Sequence, residues 1–114
     1  FGFNRRWPEH LGAAEMERWR REDSLPVFHY GEERMRSVRY ELIRDAARYE
    51  DFPDFQQPAL IFHGSQDDVV PPRYSEEFAA GHPNAKLEIV DSGHDLLNVL
   101  EAMAERSVEF LAVE

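Results

Sequence analysis

The chain has 114 residues, 42% of them apolar and 32% charged, with no cysteine and a formal net charge of −10. That length fits one domain or part of one; the 28 Leu, Ile, Val and Phe residues exclude a wholly disordered chain, and the absent thiols exclude disulfides, thiolate metal sites and a Cys nucleophile. Residues 1–50 sum to zero charge and residues 51–114 carry the whole −10, the wrong sign for a nucleic-acid surface or an anionic membrane.

Along the chain, Phe1-Gly2-Phe3 is an apolar opening with no lead-in, the appearance of a segment cut from something longer. Glu15–Glu22 predicts a short helix with Met16 and Trp19 on one face and Glu17 able to pair with Arg21. Pro26–Tyr30 and Arg34–Val38 predict two short strands around Gly31. Tyr40–Tyr49 predicts a helix striped by Leu42, Ile43, Ala46 and Ala47. Asp51–Pro58 holds two prolines among polar residues and divides the sequence. The expected organisation is therefore a segment 1–57 and a segment 58–114.

The second segment is more regular. Ala59-Leu60-Ile61-Phe62-His63 is an apolar run between Pro58 and Gly64 and predicts a buried strand. Pro72–Ala80 predicts a helix, with prolines at its start and Gly81 after its end. Lys86–Val90 predicts the next strand. Asp95 to about Ala112 predicts a last helix, with Leu97, Leu100, Ala104, Val108 and Leu111 at a 3.6-residue period. Strand-helix-strand-helix implies an α/β architecture with parallel strands and a crossover. Two parallel strands need neighbours and cover on both faces, so the open edge should be met by a missing N-terminal part or by self-association.

Ligands of open parallel sheets bind beyond the carboxyl ends of the strands. Two loops begin there: His63-Gly64-Ser65-Gln66-Asp67-Asp68-Val69-Val70-Pro71-Pro72 and Asp91-Ser92-Gly93-His94-Asp95. The first carries an acid, the second a histidine. Adjacent strands would set the loops side by side, where an ionised Asp67 can hold the His94 imidazole in one tautomer and stabilise its protonated form, as a general base requires.

Here the residues resemble a known family. Pro58 to Pro71, followed by Ser92-Gly93-His94, looks like the C-terminal part of an α/β-hydrolase, with its acid in an HGxxDxxVP loop after the seventh strand and its histidine in a GH loop after the eighth. The resemblance puts Asp67 at the acid position, because Val70 and Pro71 follow at the expected offsets, and His94, after Gly93, at the general-base position. Residues 1–57 are similar to the cap or lid segment between the sixth and seventh strands, with Phe1–Phe3 as the tail of the sixth. The whole resembles small bacterial esterase-like serine hydrolases, which implies a carboxylic ester or similar acyl bond in a small-molecule substrate and no cofactor.

The sequence departs from that family pattern in one respect. It contains neither a G-x-S-x-G nucleophile elbow nor an HGGG-like oxyanion segment. Ser65 and Ser92 flank the acid and the base but sit on no strand-turn-helix elbow. The resemblance therefore implies a nucleophilic serine upstream of Phe1 and an inactive isolated fragment. Two alternatives share the fold: an upstream Asp nucleophile, as in dehalogenases and epoxide hydrolases, and a non-catalytic interaction module or pseudoenzyme.

Other residues carry plainer expectations. Asp68 is the variable neighbour of Asp67 and should help cap the following helix. His63 should be a packed strand-end residue; His10, His29 and His82 should lie on the surface or in loops. Trp7, Trp19, Phe28 and Tyr30 either line an acyl pocket or pack ordinarily. Arg18-Trp19-Arg20-Arg21 reads as a solvated helix face, given its acidic neighbours. A metal bound by His63, Asp67, Asp68 and His94 lacks HxH or HExxH spacing, so no metal is expected. No apolar run approaches the roughly 18 residues of a membrane span. No targeting pattern occurs in the first twenty residues, so the cytoplasm is the expected location.

Overall fold

The computed structural model describes residues 1–112, which divide into two compact units: Gly2–Pro53, and the chain from Asp54 onward together with Phe1. In the first unit, helices α1 (Phe3–Leu11) and α2 (Ala13–Glu22) precede strands β1 (Leu25–His29) and β2 (Arg34–Val38) and helix α3 (Glu41–Ala46). Phe1–Phe3 is not a strand tail: Gly2 turns the chain at φ 70° and Phe3 opens α1. That helix has no cap of its own. The Asp51 carboxylate supplies one from across the unit, accepting the Asn4 N–H at 2.7 Å and the Arg5 N–H at 3.0 Å. A carboxylate there satisfies donors that a helix start leaves orphaned and favours the positive end of its dipole.

Trp19 anchors this unit. It is 1% exposed, and its indole N–H donates to the Val38 carbonyl at 2.8 Å. The rings of Trp7 and Tyr40 pack against it at 5.3 and 5.5 Å. Trp19 is thus core rather than pocket wall, while Phe28 and Tyr30 form an exposed edge-on pair near the hairpin turn. The hairpin is antiparallel, with Leu25 opposite Val38 and His29 opposite Arg34. Arg18 and Arg20 pair with Glu15 and Glu17 on the exposed face of α2, as a solvated face should. The expected Glu17–Arg21 pair is replaced by Glu17–Arg20.

The second unit contains β3 (Ala59–Gly64), α4 (Arg73–Gly81), β4 (Ala85–Val90), a 3-10 turn (Leu97–Val99) and α5 (Leu100–Ala112). β3 and β4 are parallel, from Ala59 opposite Ala85 to Gly64 opposite Val90. Side chains alternate across the strands. His63 reaches α4 through Ser75, while Glu88 pairs with Arg106 of α5, so the two helices cover opposite faces. The last helix is shorter than its periodicity predicts. Leu96 adopts φ 59° and interrupts it ahead of the 3-10 turn, at a cost of order 1 kcal/mol for a branched residue in the left-handed region.

Helix α4 buries Tyr74, Ser75 and Phe78. Phe78 is 1% exposed and lies between two stacked rings, Phe1 and His82, each 3.9 Å away. His82 is therefore not a free surface histidine: its Nδ1 bonds the Phe78 carbonyl at 2.8 Å, and its Nε2 lies 3.2 Å from Asp54. Phe78→Ala removes the centre of this stack and leaves a cavity under α4. We expect it to lower unfolding stability by about 3–5 kcal/mol, read from denaturant midpoints at unchanged m-value.

Candidate active site

The parallel register brings the ends of β3 and β4 level, and Gly64 lets the loops beyond them meet. A Cβ at Gly64 would overlap the carbonyl oxygens of Ser92 and Gly93. Only a residue without a side chain permits this approach. Backbone bonds continue past the strands: Ser65 N–H donates to Val90 O at 2.8 Å, and Gln66 N–H to Ser92 O at 3.0 Å. The Gln66 side-chain amide also donates to the Asp91 carboxylate. Buried Ser92 donates its hydroxyl to Asn98, whose amide donates to the Asp91 carbonyl at 2.9 Å.

Asp67 stands in the first of these loops with its side chain only 6% exposed. Its Oδ1 accepts the N–H groups of Val69 at 3.0 Å and Val70 at 2.8 Å, the local turn that aspartate favours. Its Oδ2 faces His94 Nδ1 at 2.9 Å across 27 residues of chain. Burial pushes the carboxyl up, but the N–H of Val70, the bond from His94 and the N–H of Val69 together hold it below the ordinary value of 3.8. Asp67 is therefore a buried anion with both oxygens engaged. Asp68 is exposed, and α4 carries no side-chain cap, so the capping role expected of Asp68 is not there.

A carboxylate only accepts hydrogen bonds, so the Asp67 partner fixes the proton of neutral His94 on Nδ1 and the lone pair on Nε2. The His94 side chain is 53% exposed, and Nε2 is the ring nitrogen that Asp67 does not engage. An imidazole held this way can take a proton at Nε2 while the anion behind it offsets the charge gained.

A hollow of about 270 Å³ opens beside the pair, walled by Phe1, Ile61, Phe62, Tyr74 and Leu96 and touching both Asp67 and His94. A larger hollow of about 770 Å³ lies between Leu60, Glu88 and Arg106. It touches neither Asp67 nor His94, so the smaller one is the candidate ligand space.

The remaining candidates separate clearly. Ser65 is exposed, Ser92 is buried and committed to Asn98, and neither stands on an elbow. His10 and His29 are exposed in the other unit. His63 is packed at the strand end, as its position predicts, but it is also tied to the acid: Nε2 lies 3.2 Å from Asp67 Oδ2. Both its ring nitrogens already face protein partners, Ser75 and the Val70 carbonyl, so ligating a metal would cost those bonds. Among the described residues no group of three or more His, Asp or Glu is arranged to hold a metal ion. The signal for His63 lay in its spacing, four residues before Asp67 and directly before Gly64.

The sign of the Asp67 effect follows from its lowered folded value. A group whose folded pKa is depressed stabilises the fold above its unfolded pKa, and that contribution is lost as pH falls through the folded one. Asp67→Asn should therefore be less stable than wild type above pH 3.8, and the gap should close as the medium is acidified below it. Chemical unfolding at a series of pH values measures that gap.

The model of the alpha/beta hydrolase fold family matches residues 8–98. No curated protein and no solved structure matches the chain at a significant level. That match spans well over half of the chain and includes both loops, and the chain belongs to the alpha/beta hydrolase fold family.

Proposed function

We propose that the chain supplies the acid and the general base of a serine hydrolase acting on a carboxylic ester or similar acyl bond, with a nucleophilic serine upstream of Phe1. The observation that carries this reading is the 2.9 Å contact between Asp67 Oδ2 and His94 Nδ1, made by a buried anion and a half-exposed imidazole. In the proposed reaction the serine hydroxyl attacks the acyl carbonyl and its proton passes to His94 Nε2. The tetrahedral oxyanion is held by backbone N–H groups outside this chain. It collapses, the C–O bond to the alcohol breaks, and His94 returns the proton to the leaving oxygen. Water then attacks the acyl-enzyme with His94 again taking the proton, and the acid leaves as the serine is reprotonated.

The role of Asp67 is to keep His94 in the Nδ1–H tautomer and to balance its transient positive charge. The small hollow beside the pair suits a compact, mainly apolar acyl or alcohol group. No cofactor enters the scheme. The strands that neighbour the open edge of the β3–β4 pair belong, in this reading, to the same hydrolase fold, and the working compartment is the cytoplasm.

In the intact protein, His94→Ala should lower kcat on short-chain aryl esters by several orders of magnitude, about 10⁴-fold, with KM little changed. Steady-state kinetics with purified variants measures both constants. A His94→Ala enzyme turning over at close to the wild-type rate rules the assignment out. It would leave the Asp67–His94 pair to a non-catalytic module.

A further inference from the structure

His63 is one of the few buried polar residues of the described chain, at 8% exposure, and the proposed reaction gives it no step. Its contacts are nevertheless specific at both nitrogens. Nε2 lies 2.7 Å from the Val70 carbonyl oxygen, and Nδ1 lies 2.6 Å from the Ser75 hydroxyl. A carbonyl can only accept, so Nε2 must carry the proton. In the neutral ring Nδ1 then holds a lone pair, and the buried Ser75 hydroxyl donates to it. Helix α4 thereby sets the tautomer of a histidine at the end of β3.

That tautomer grips the acid turn from behind. Val70 offers its carbonyl to His63 and its N–H to Asp67 Oδ1 at 2.8 Å, so one residue links the two side chains. The protonated Nε2 also lies 3.2 Å from Asp67 Oδ2, the same oxygen that meets His94 Nδ1 at 2.9 Å. The opposite tautomer would turn a nitrogen lone pair toward both a carbonyl and a carboxylate. We propose that His63 is a positioning residue for the Asp67–His94 pair: its Nε2–H clamps the Val70 carbonyl and abuts Oδ2, so the turn presents that oxygen to His94. Ser75 is the second member of the clamp. The catalytic consequence rests on the reading of His94 as general base; the clamp itself does not.

Two measurements on the intact protein test it. The first needs no variant: nitrogen-15 spectra of the histidine rings report which nitrogen of His63 carries the proton. Protonation at Nε2 is expected; a proton on Nδ1 alone overturns the clamp, whatever any variant does. The second compares His63→Leu with His63→Gln, whose amide N–H falls near the place of Nε2–H. His63→Leu should lower kcat roughly 10- to 100-fold at nearly constant KM, the scale of loss from small misplacement of a catalytic group. It should also lose the downfield proton signal of His94 Nδ1–H. His63→Gln should keep that signal and recover most of kcat.

Equal kcat in the two variants, or a fall in kcat with the His94 signal intact, overturns the positioning role. A His63→Leu chain that does not fold leaves the decision to the wild-type tautomer and to His63→Gln, which must keep the His94 signal. The two proposals fail separately. If His94→Ala is fully active, the general-base reading falls, while the His63 tautomer and the His94 signal still report the clamp. If His94→Ala is inactive and His63→Leu is as fast as wild type, only the clamp falls.

Discussion

The site depends on how closely two backbones approach at the ends of β3 and β4. Gly64 sits where any Cβ would collide with the carbonyls of Ser92 and Gly93. Because it has none, the Ser65 and Gln66 N–H groups bond across to Val90 and Ser92, and the two loops leave the sheet as one braced structure. Parallel register alone would bring them near each other. The extra bonds fix them closely enough for side chains 27 residues apart to meet at 2.9 Å.

Within that frame Asp67 is the costliest group to hold. A carboxylate shielded from water must be repaid by hydrogen bonds, or it takes up a proton. Two backbone N–H groups and the His94 ring do so here, and they outweigh burial, since the carboxyl ends below its ordinary value. The acid is thus an anion wherever the imidazole has use for one. His63 and Ser75 belong to the same arrangement, because they hold the turn that supplies one of those N–H groups. The apolar stack around Phe78 steadies α4, the helix that carries Ser75.

What could be read from the sequence follows the range of the interactions involved. β3 announces itself through an unbroken apolar run between turn residues, β4 through Leu87, Ile89 and Val90 set among the charged Lys86 and Glu88, and Asp67 and His94 through short motifs just after the strands. Those signals are local. Helix α1 leaves no local signal, because its cap, Asp51, lies 47 residues from Asn4 and because Pro8 inside it reads as a breaker. Periodicity does not show the break at Leu96, since a leucine at φ 59° carries no warning in its neighbours. The engagement of His82 with Phe78 and Asp54, and of His63 with Val70 and Ser75, depends on packing that a linear reading cannot place.

The central claim is that Asp67 and His94 serve a serine that this chain does not contain. Labelling the protein from its native source with a serine-reactive fluorophosphonate, followed by peptide mapping, tests it most directly. The account predicts one labelled serine, ahead of Phe1 in the intact protein, and loss of labelling in His94→Ala. Labelling at Ser65 or Ser92, or no labelling of the folded protein, would contradict it.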